Sequence, residues 1–314
     1  MGRKAEMKVR LMFFCLTILF VGCQHHSEDF SSSSLEVLKE RLEKDIQGSG
    51  AEVGLAFKDL ETGQTLLINA RQMMHAASTM KVPVMIEVFK QADQGQFSLE
   101  ESLTIKNEFS SLADGSPFSL SVEDDSDAEI YEHIGGRMTI RELLSRMITV
   151  SSNLATNLMV ELVDTKNVMT TLKELGVQNM LVLRGVEDGK AYRMGLNNQT
   201  DACDLMLVME ALATGKAGSP EACQEMIDIL SQQGFRAKIP AGLPPDVRAA
   251  NKTGRISRID HDAAIVFPPG RKPYVLAVLT RGLSDHEQAE ELIARLSRKV
   301  YTYVVDSKKN KGNS

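Results

Sequence analysis

Hydrophobic and polar positions divide the chain into strand-rich ends and a helix-rich middle. Leu35, Leu38, Leu42 and Ile46 recur at helical spacing, which predicts an amphipathic helix at the start of the folded part. Two strand-like runs follow, EVGLAFKD and QTLLINA, and the turn residues LETG between them indicate a hairpin. Helical patterns then dominate from about residue 79 to residue 233.

Strand patterns return near the carboxyl end, in the runs DVRAANKTG, DAAIVFPP and YVLAVLTRG. A last helical pattern covers about residues 284–300, and residues 307–314 form a polar tail. This order predicts an α/β protein of the α+β sandwich type. A five-stranded antiparallel sheet carries the terminal helices, and an all-helical lobe is inserted into it. We place the sheet lobe at about 35–77 and 236–306, and the helical lobe at about 78–235, within one domain over residues 35–306.

The first part of the chain has a different pattern. Four basic residues precede an apolar run of twelve residues, Leu11 to Gly22, which is too short to span a bilayer as a helix. This pattern is typical of a secretory signal peptide, here residues 1–22. The polar stretch of residues 23–34 predicts a flexible tether.

The apolar run ends in LFVGC, which resembles the lipobox of bacterial lipoproteins. The resemblance implies that Cys23 is acylated and becomes the mature N-terminus. We therefore expect an exported protein of the cell envelope or periplasm, held at a membrane by its lipid chains. Gln24 after the cysteine implies the outer membrane if the cell is Gram-negative. An ordinary cleaved signal and an apolar anchor are the alternatives.

Charge and cysteine content narrow the partners. Residues 1–22 hold four of the 36 Lys and Arg and one of the 42 Asp and Glu, so the exported chain has 32 against 41 and a charge of −9. This balance disfavours nucleic acid as a partner. We expect a monomer that acts on a small molecule without a metal or other cofactor. Cys203 and Cys223 could form a disulfide or remain as two buried thiols.

A candidate nucleophile lies where the first helix of the middle part begins. Ser78 and Lys81 form a Ser-x-x-Lys pattern, which puts the lysine one helical turn after the serine. A serine hydroxyl is a weak nucleophile unless a base accepts its proton. A capping serine with a solvated lysine would give the same pattern. However, SSN at residues 151–153 follows a helix opened by the capping box TIRE, and KTG at residues 252–254 closes a predicted strand.

Ser-x-x-Lys, Ser-x-Asn and Lys-Thr-Gly in this order form the motif set of the penicillin-recognising serine enzymes. The stretches AASTMKVPVMIEVFKQ, GGRMTIRELLSRMITVSSNLATNLM and ANKTGRISRIDHDAAIVFPP resemble class A β-lactamases and related serine hydrolases over most of the chain. The resemblance implies a β-lactamase/DD-peptidase-like fold and an acyl-enzyme on Ser78. It also implies an oxyanion hole made by the backbone N–H groups of Ser78 and Arg255.

Each motif residue suits a step of such chemistry. Lys81 needs a lowered pKa to act as a base, and burial beside Lys252 would lower it. Ser151 can relay a proton to the leaving nitrogen, and Asn153 can hold the substrate amide while contacting Lys81. The residues expected to bind a substrate carboxylate, or to leave room for it, follow one another on a strand: Lys252, Thr253 and Gly254.

The match weakens at the base that would hydrolyse the acyl-enzyme. Class A β-lactamases use a loop glutamate followed four residues later by an asparagine. The loop here, residues 183–200, contains Glu187, but position 191 is an alanine. Glu187 is our candidate base. The alternative is that Glu187 and Asp188 form a solvated turn, with Asn197 and Asn198 as candidates to order the loop.

Two other segments allow more than one interpretation. The acidic stretch of residues 123–132 could overhang the cleft or form a solvated insertion. His261 and Asp262 are expected to be structural rather than a second catalytic pair.

The sequence therefore predicts a serine hydrolase that opens β-lactam rings. A penicillin-binding D-alanyl-peptidase or esterase-like hydrolase with slow deacylation is the alternative. A non-catalytic envelope lipoprotein is a third reading. The intact proton-transfer set argues against this third reading, because binding alone does not require it.

Overall fold

The computed structural model describes residue 2 and residues 29–311, with side chains described from residue 35 to residue 306. Apart from residue 2, the predicted signal peptide lies outside the described residues, and so does Cys23. Within the described part, no helix is both long and apolar enough to cross a membrane.

The helices of the described part are α1 (Asp29–Ser49), α2 (Lys81–Asp93), α3 (Ile140–Thr149), α4 (Asn153–Val163), α5 (Thr165–Glu174), α6 (Gly189–Arg193), α7 (Ala202–Ala213), α8 (Pro220–Ser231) and α9 (His286–Lys311). The strands are β1 (Glu52–Asp59), β2 (Thr65–Ile68), β3 (Met74–His75), β4 (Ser102–Thr104), β5 (Phe109–Ser110), β6 (Pro117–Phe118), β7 (Arg137–Thr139), β8 (Gln199–Thr200), β9 (Arg248–Ile256), β10 (Ile259–Phe267) and β11 (Tyr274–Arg281).

Both terminal helices are longer than the sequence pattern indicates. Helix α1 begins at Asp29, so residues 29–34 of the predicted tether are helical. Helix α9 continues to Lys311 and takes in most of the predicted polar tail. A helix that is nucleated by packed apolar residues extends at little cost per residue through serine or lysine. For this reason the polar composition of residues 29–34 and 307–311 does not mark the ends of α1 and α9.

The predicted five-stranded antiparallel sheet is confirmed, with strand order β2-β1-β11-β10-β9. The two strands before the helical part and the three after it meet in the middle of the sheet, where Leu55 pairs with Val278. Strand β9, which carries the Lys-Thr-Gly motif, lies at the sheet edge. One side of its backbone is therefore free of sheet partners and can face a ligand.

Two apolar cores cover the faces of the sheet. On one face, α1 and α9 contribute Leu38, Leu42 and Leu292 to a cluster with Phe57 and Tyr274. The other face packs against the inserted lobe through a larger cluster. Each fully buried leucine or phenylalanine contributes about 1.5–3 kcal/mol to the stability of the fold. Burial in these two clusters therefore holds the terminal helices and the inserted lobe on the sheet.

The inserted lobe is not all-helical, contrary to the prediction. Three two-stranded ladders join β3 with β8, β4 with β7, and β5 with β6. Each strand has two or three residues, which is too short to show an alternating pattern. The β3–β8 ladder pairs His75 with Gln199 and so joins the segment before Ser78 to the end of the loop of residues 183–200. Cys203 and Cys223 are both buried free thiols, so the disulfide alternative is wrong.

Candidate active site

The predicted nucleophile lies on a tight turn between the two lobes. A 3₁₀ turn, Ala77–Met80, precedes α2, and Lys81 is the first residue of that helix. Ala77 has a φ of +46°, a strained value for a residue with a side chain. The turn is held on its N-terminal side by Ala76, whose N–H donates to the Asn198 carbonyl at 2.9 Å. Ser78 is thereby presented to the cleft.

Gly254 packs directly on this turn. A Cβ at position 254 would lie 3.1 Å from the Cβ of Ala77 and 3.2 Å from the backbone nitrogen of Ser78. Glycine therefore allows the edge strand β9 to approach the nucleophile closely. This places the backbone nitrogen of Ser78 beside Gly254, the residue before Arg255. The oxyanion hole of Ser78 and Arg255 stays a prediction.

Two fully buried lysines converge on one hydroxyl. The Nζ of Lys81 lies 3.2 Å from Ser151 Oγ, and the Nζ of Lys252 lies 3.0 Å from the same atom. Burial lowers the pKa of Lys81 to about 7, against the opposing effect of Asp125 and Glu187. Burial and the nearby positive charge of Lys81 hold the pKa of Lys252 well below its ordinary value. The predicted proximity of these lysines is thus present, and burial leaves the Lys81 amine partly neutral near neutral pH.

Lys81 lies one turn after Ser78, as predicted, but no hydrogen bond joins the two side chains in the described part of the chain. The Nζ of Lys81 instead donates to the Ser151 carbonyl at 2.7 Å and to Asn153 Oδ1 at 2.9 Å. A buried ammonium is drawn to strong oxygen acceptors because it must replace its hydration. Ser78 lines the same cleft as Ser151 and Asn153.

The structure brings Glu187 into this network. Asn153 bridges it to the lysine, because its Nδ2 donates to Glu187 Oε1 at 2.6 Å while its Oδ1 accepts from Lys81. Burial raises the pKa of Glu187, with Asn153 acting in the opposite direction and the charge of Asp125 adding to the rise. Glu187 has a φ of +62°. The interpretation of Glu187 as part of a solvated turn is therefore wrong.

The loop around Glu187 is clamped from both sides. Asn157 of α4 accepts from the Val186 N–H at 2.7 Å and donates to the Val186 carbonyl at 3.1 Å. Asp188 is also buried, accepts from Ser111 Oγ, and caps α6 by accepting from Ala191 N at 3.0 Å. These bonds hold Glu187 in its left-handed conformation. Sequence reasoning missed Asn157, although an asparagine one turn after Asn153 on an apolar helix face is a usable signal.

Asn198 orders the other end of this loop, as one hypothesis stated. Its side chain accepts from the N–H of Leu183 at 2.8 Å and donates to the Arg184 carbonyl at 2.9 Å. The Arg184 side chain donates in turn to Asn197 Oδ1 at 3.1 Å. Both asparagines therefore order the loop through its backbone and through Arg184.

The acidic segment forms one wall of the site. Asp124 and Ser126 line the cleft, and between them Asp125 is buried and accepts from the N–H groups of Asn153 and Leu154. The alternative that the acidic stretch of residues 123–132 is a solvated insertion is therefore wrong at Asp125. Sequence reasoning missed Asp125, since its partners lie almost thirty residues away and no local pattern marks it.

The cleft encloses about 310 Å³. Its lining combines residues from both lobes: Ser78, Asp124, Ser126, Ser151, Asn153, Phe235, Ala237, Lys238, Thr253, Arg255 and Glu290. Lys252 is not part of this surface. Its Nζ turns inward to Ser151 Oγ and the Thr253 carbonyl, because these oxygens satisfy a buried cation. Contact of Lys252 with a substrate carboxylate stays a prediction, as it does for Thr253.

The Arg255 side chain is held at the rim by Asp260, at 3.1 Å, and by Glu290. His261 and Asp262 are buried and structural, as predicted. His261 Nε2 meets the His75 carbonyl at 3.0 Å, behind the turn that carries Ser78. Asp262 accepts from the backbone N–H of Ile239. No group of three or more metal-binding side chains occurs among the described residues.

The arrangement at the junction of the sheet and the helical lobe is suited to acyl transfer. It combines a serine in the cleft, two buried lysine amines and a carboxylate. Comparison with known proteins agrees with this class. A family model described as the β-lactamase enzyme family matches residues 37–304. The β-lactamase AST-1 of Nocardia asteroides is 31% identical over 257 residues, which cover 80% of this chain and 79% of that protein. The chain belongs to the β-lactamase enzyme family.

Two solved structures show the same fold. The crystal structure of a β-lactamase from Sphaerobacter thermophilus matches with a TM-score of 0.72 at 26% identity, over 85% of this chain and 95% of that one. A mutant of PBP-A, solved as an acyl-enzyme complex with penicillin G, matches with a TM-score of 0.73 at 26% identity, over 88% and 97% of the two chains.

Proposed function

We propose that this protein is a class A-type serine β-lactamase that opens the β-lactam amide through an acyl-enzyme on Ser78. One observation carries the proposal: Asn153 joins the buried amine of Lys81 to the carboxylate of Glu187 beside the cleft that holds Ser78. A base for acylation and a base for deacylation are thus coupled at one site. Turnover of nitrocefin, with and without these side chains, tests it.

Acylation requires the Ser78 proton to leave as its oxygen attacks the lactam carbonyl. We assign Lys81, in its neutral form, as the acceptor of this proton. Its Nζ first gives up its hydrogen bond to an oxygen of Asn153 or Ser151 and contacts the Ser78 hydroxyl instead. The positive charge that then forms lies beside those oxygens. Ser151 Oγ, between the two lysine amines, returns the proton to the leaving nitrogen. Backbone N–H groups of Ser78 and Arg255 bind the developing oxyanion, a role that contributes a few kcal/mol in related sites.

This assignment predicts a pH dependence. Below the Lys81 pKa of about 7 the amine is protonated and has no lone pair, so acylation should slow about tenfold per pH unit. Above that pKa the rate should level off. Stopped-flow labelling with a fluorescent penicillin between about pH 5.5 and pH 8.5 measures the profile. A rate that is flat over this range contradicts Lys81 as the base.

Deacylation requires a water to be activated on the acyl-enzyme. Glu187 is the carboxylate held against the network, and its pKa is raised by burial, which makes it a stronger base than an exposed glutamate. The position four residues later is Ala191, a buried residue within α6, which offers no amide to the water. Glu187 therefore works here without that second polar group.

The second candidate is a penicillin-binding D-alanyl-peptidase or esterase-like hydrolase that releases its acyl group slowly. Ala191 favours this candidate, because a poorly held water slows hydrolysis. The similarity to PBP-A, a mutant of which was solved as an acyl-enzyme complex with penicillin G, also supports it. The lifetime of the acyl-enzyme separates the two candidates.

We also propose that the protein is exported and anchored to the membrane through acylated Cys23, on the basis of the LFVGC sequence. Growth of cells that express the protein with a radioactive fatty acid should label it. Cys23→Ser should abolish the label and release the protein from the membrane fraction, whereas the control Cys15→Ser should keep both. Equal labelling of the two variants would refute the anchor.

A further inference from the structure

Asp125 is a buried carboxylate at the start of the helix that carries Asn153. Both of its oxygens lie 2.9 Å from the Asn153 N–H, and one lies 2.9 Å from the Leu154 N–H. The Tyr131 hydroxyl donates to it at 3.0 Å and the Asp127 N–H at 3.1 Å. A carboxylate with this many donors is fixed in position.

These bonds complete the N-terminus of α4. The first two free N–H groups of the helix donate to Asp125, and the third donates to the Ser152 hydroxyl at 3.3 Å. A negative charge at this end also interacts favourably with the helix dipole. The cap of α4 therefore comes partly from Ser152 and partly from a segment nearly thirty residues upstream.

The capped residue is also the bridge of the candidate active site. Asn153 can accept from Lys81 and donate to Glu187 at the same time only if its backbone is held in one place. Ser151, two residues earlier, has a φ of +60°, so the turn before the helix is strained and depends on its anchors. Asp125 is the charged anchor of that turn.

We propose that Asp125 is a positioning residue for the reaction: its carboxylate fixes the first turn of α4 and thereby aligns Asn153 with Lys81 and Glu187. This inference rests on the proposed function. It gives the acidic segment a second role beside lining the cleft, because Asp125 of this segment binds the backbone of the SSN motif.

The charge of Asp125 acts on the same two groups. It opposes the effect of burial on the pKa of Lys81 and raises the pKa of Glu187. The ionisable groups that interact with Lys81 or Asp125 include Glu187 from the loop, Lys252 from β9 and Tyr131 from the acidic segment. Of the other acids in that segment, Asp124 acts on Glu187 and Asp127 acts on Tyr131.

Asp125→Asn tests the proposal because it removes the charge at nearly constant volume. We expect acylation by a fluorescent penicillin to slow by about tenfold to a hundredfold, as the bridge is misplaced. The acid limb of the acylation profile should also move down by about one pH unit, since loss of a nearby negative charge lowers the pKa of an amine. Asp125→Glu keeps the charge and should retain the midpoint.

Asp127→Asn is the matched control. Asp127 is buried in the same segment, but its carboxylate pairs with Arg146 at 2.8 Å and has no described bond to the SSN motif. This variant should lower the melting temperature and leave the pH midpoint unchanged. If Asp125→Asn only loses stability, with the midpoint and the rate of the folded fraction as in the control, the proposal is overturned.

A readout without substrate separates this inference from the proposed function. A ¹³C NMR titration of the lysine side chains follows the Lys81 amine directly, and hydrogen exchange follows the amides of Asn153 and Leu154. Asp125→Asn should lower the Lys81 midpoint and speed exchange at both amides, even if no penicillin reacts. Unchanged values for both quantities would overturn the inference while leaving the proposed function intact.

Discussion

Replacement of Ser78 by alanine should abolish covalent labelling of the protein by a fluorescent penicillin. The proposed reaction joins the lactam carbonyl carbon to Ser78 Oγ, and no other nucleophile is assigned to the cleft. Loss of a nucleophile of this kind lowers kcat by several orders of magnitude, on the order of 10⁶. Gel fluorescence after a long incubation measures the residual covalent labelling of Ser78→Ala, which should be absent.

The control for this variant is Ser116→Ala. Ser116 is a surface serine whose hydroxyl interacts with Asp114 and Lys190, and it does not line the cleft. Its replacement should leave labelling unchanged. Equal melting temperatures for Ser78→Ala and the native protein would show that the fold survives. Persistent labelling of folded Ser78→Ala would place the nucleophile elsewhere.

Glu187→Gln should trap the acyl-enzyme. Glutamine is close to glutamate in size and can keep an oxygen toward Asn153, so Ser78, Lys81 and the fold should remain in place. The amide cannot accept a proton from water, and loss of a general base typically slows a step by about 10²–10⁴-fold. Acylation should therefore persist while release of the label becomes slow.

Glu123→Gln controls for the loss of one negative charge near the cleft, because Glu123 is exposed and lies beside Asp124 without lining the cleft. Single-turnover labelling followed by a chase with unlabelled penicillin gives the release rate for each variant. Equal release rates for Glu187→Gln and the native protein would exclude Glu187 as the deacylating base. They would favour the slowly deacylating candidate if both rates were low.

The sheet was predictable because its signals are local. Four of the five strands have an apolar run bounded by turn residues, and the fifth, β9, carries the Lys-Thr-Gly motif. The pairing of β1 with β11 joins residues that are buried on both strands, such as Phe57 and Leu276. The short ladders and the continued ends of α1 and α9 were not predictable in this way. Two-residue strands have no period, and polar helix ends are decided by the packing of the turns beside them.

The motif residues were predictable for a different reason. Ser78 lies on the turn immediately before α2 and Lys81 begins that helix, so their spacing in the chain alone brings them near one another. Lys252 joins them only through the fold and was inferred from resemblance. The direction of the Lys252 amine, toward Ser151 rather than the cleft, depends on acceptors that no sequence pattern shows.

Glu187 and Asp125 mark the limit of sequence reasoning here. Glu187 was a candidate on chemical grounds, but its left-handed backbone and its bond to Asn153 depend on the clamp by Asn157. Asp125 looked like one of several solvated acids. Its burial follows from the need of α4 for acceptors at its first N–H groups, a demand that appears only when the two segments meet.

Acylation of Ser78 and its later hydrolysis are followed most directly by a time course of intact-protein mass after the native protein is mixed with benzylpenicillin. We expect an early species heavier by one intact penicillin, with the added mass on the peptide that contains Ser78, followed by return to the starting mass as hydrolysed product accumulates. Absence of any adduct while penicillin is consumed, or an adduct on a residue other than Ser78, would contradict acylation of Ser78.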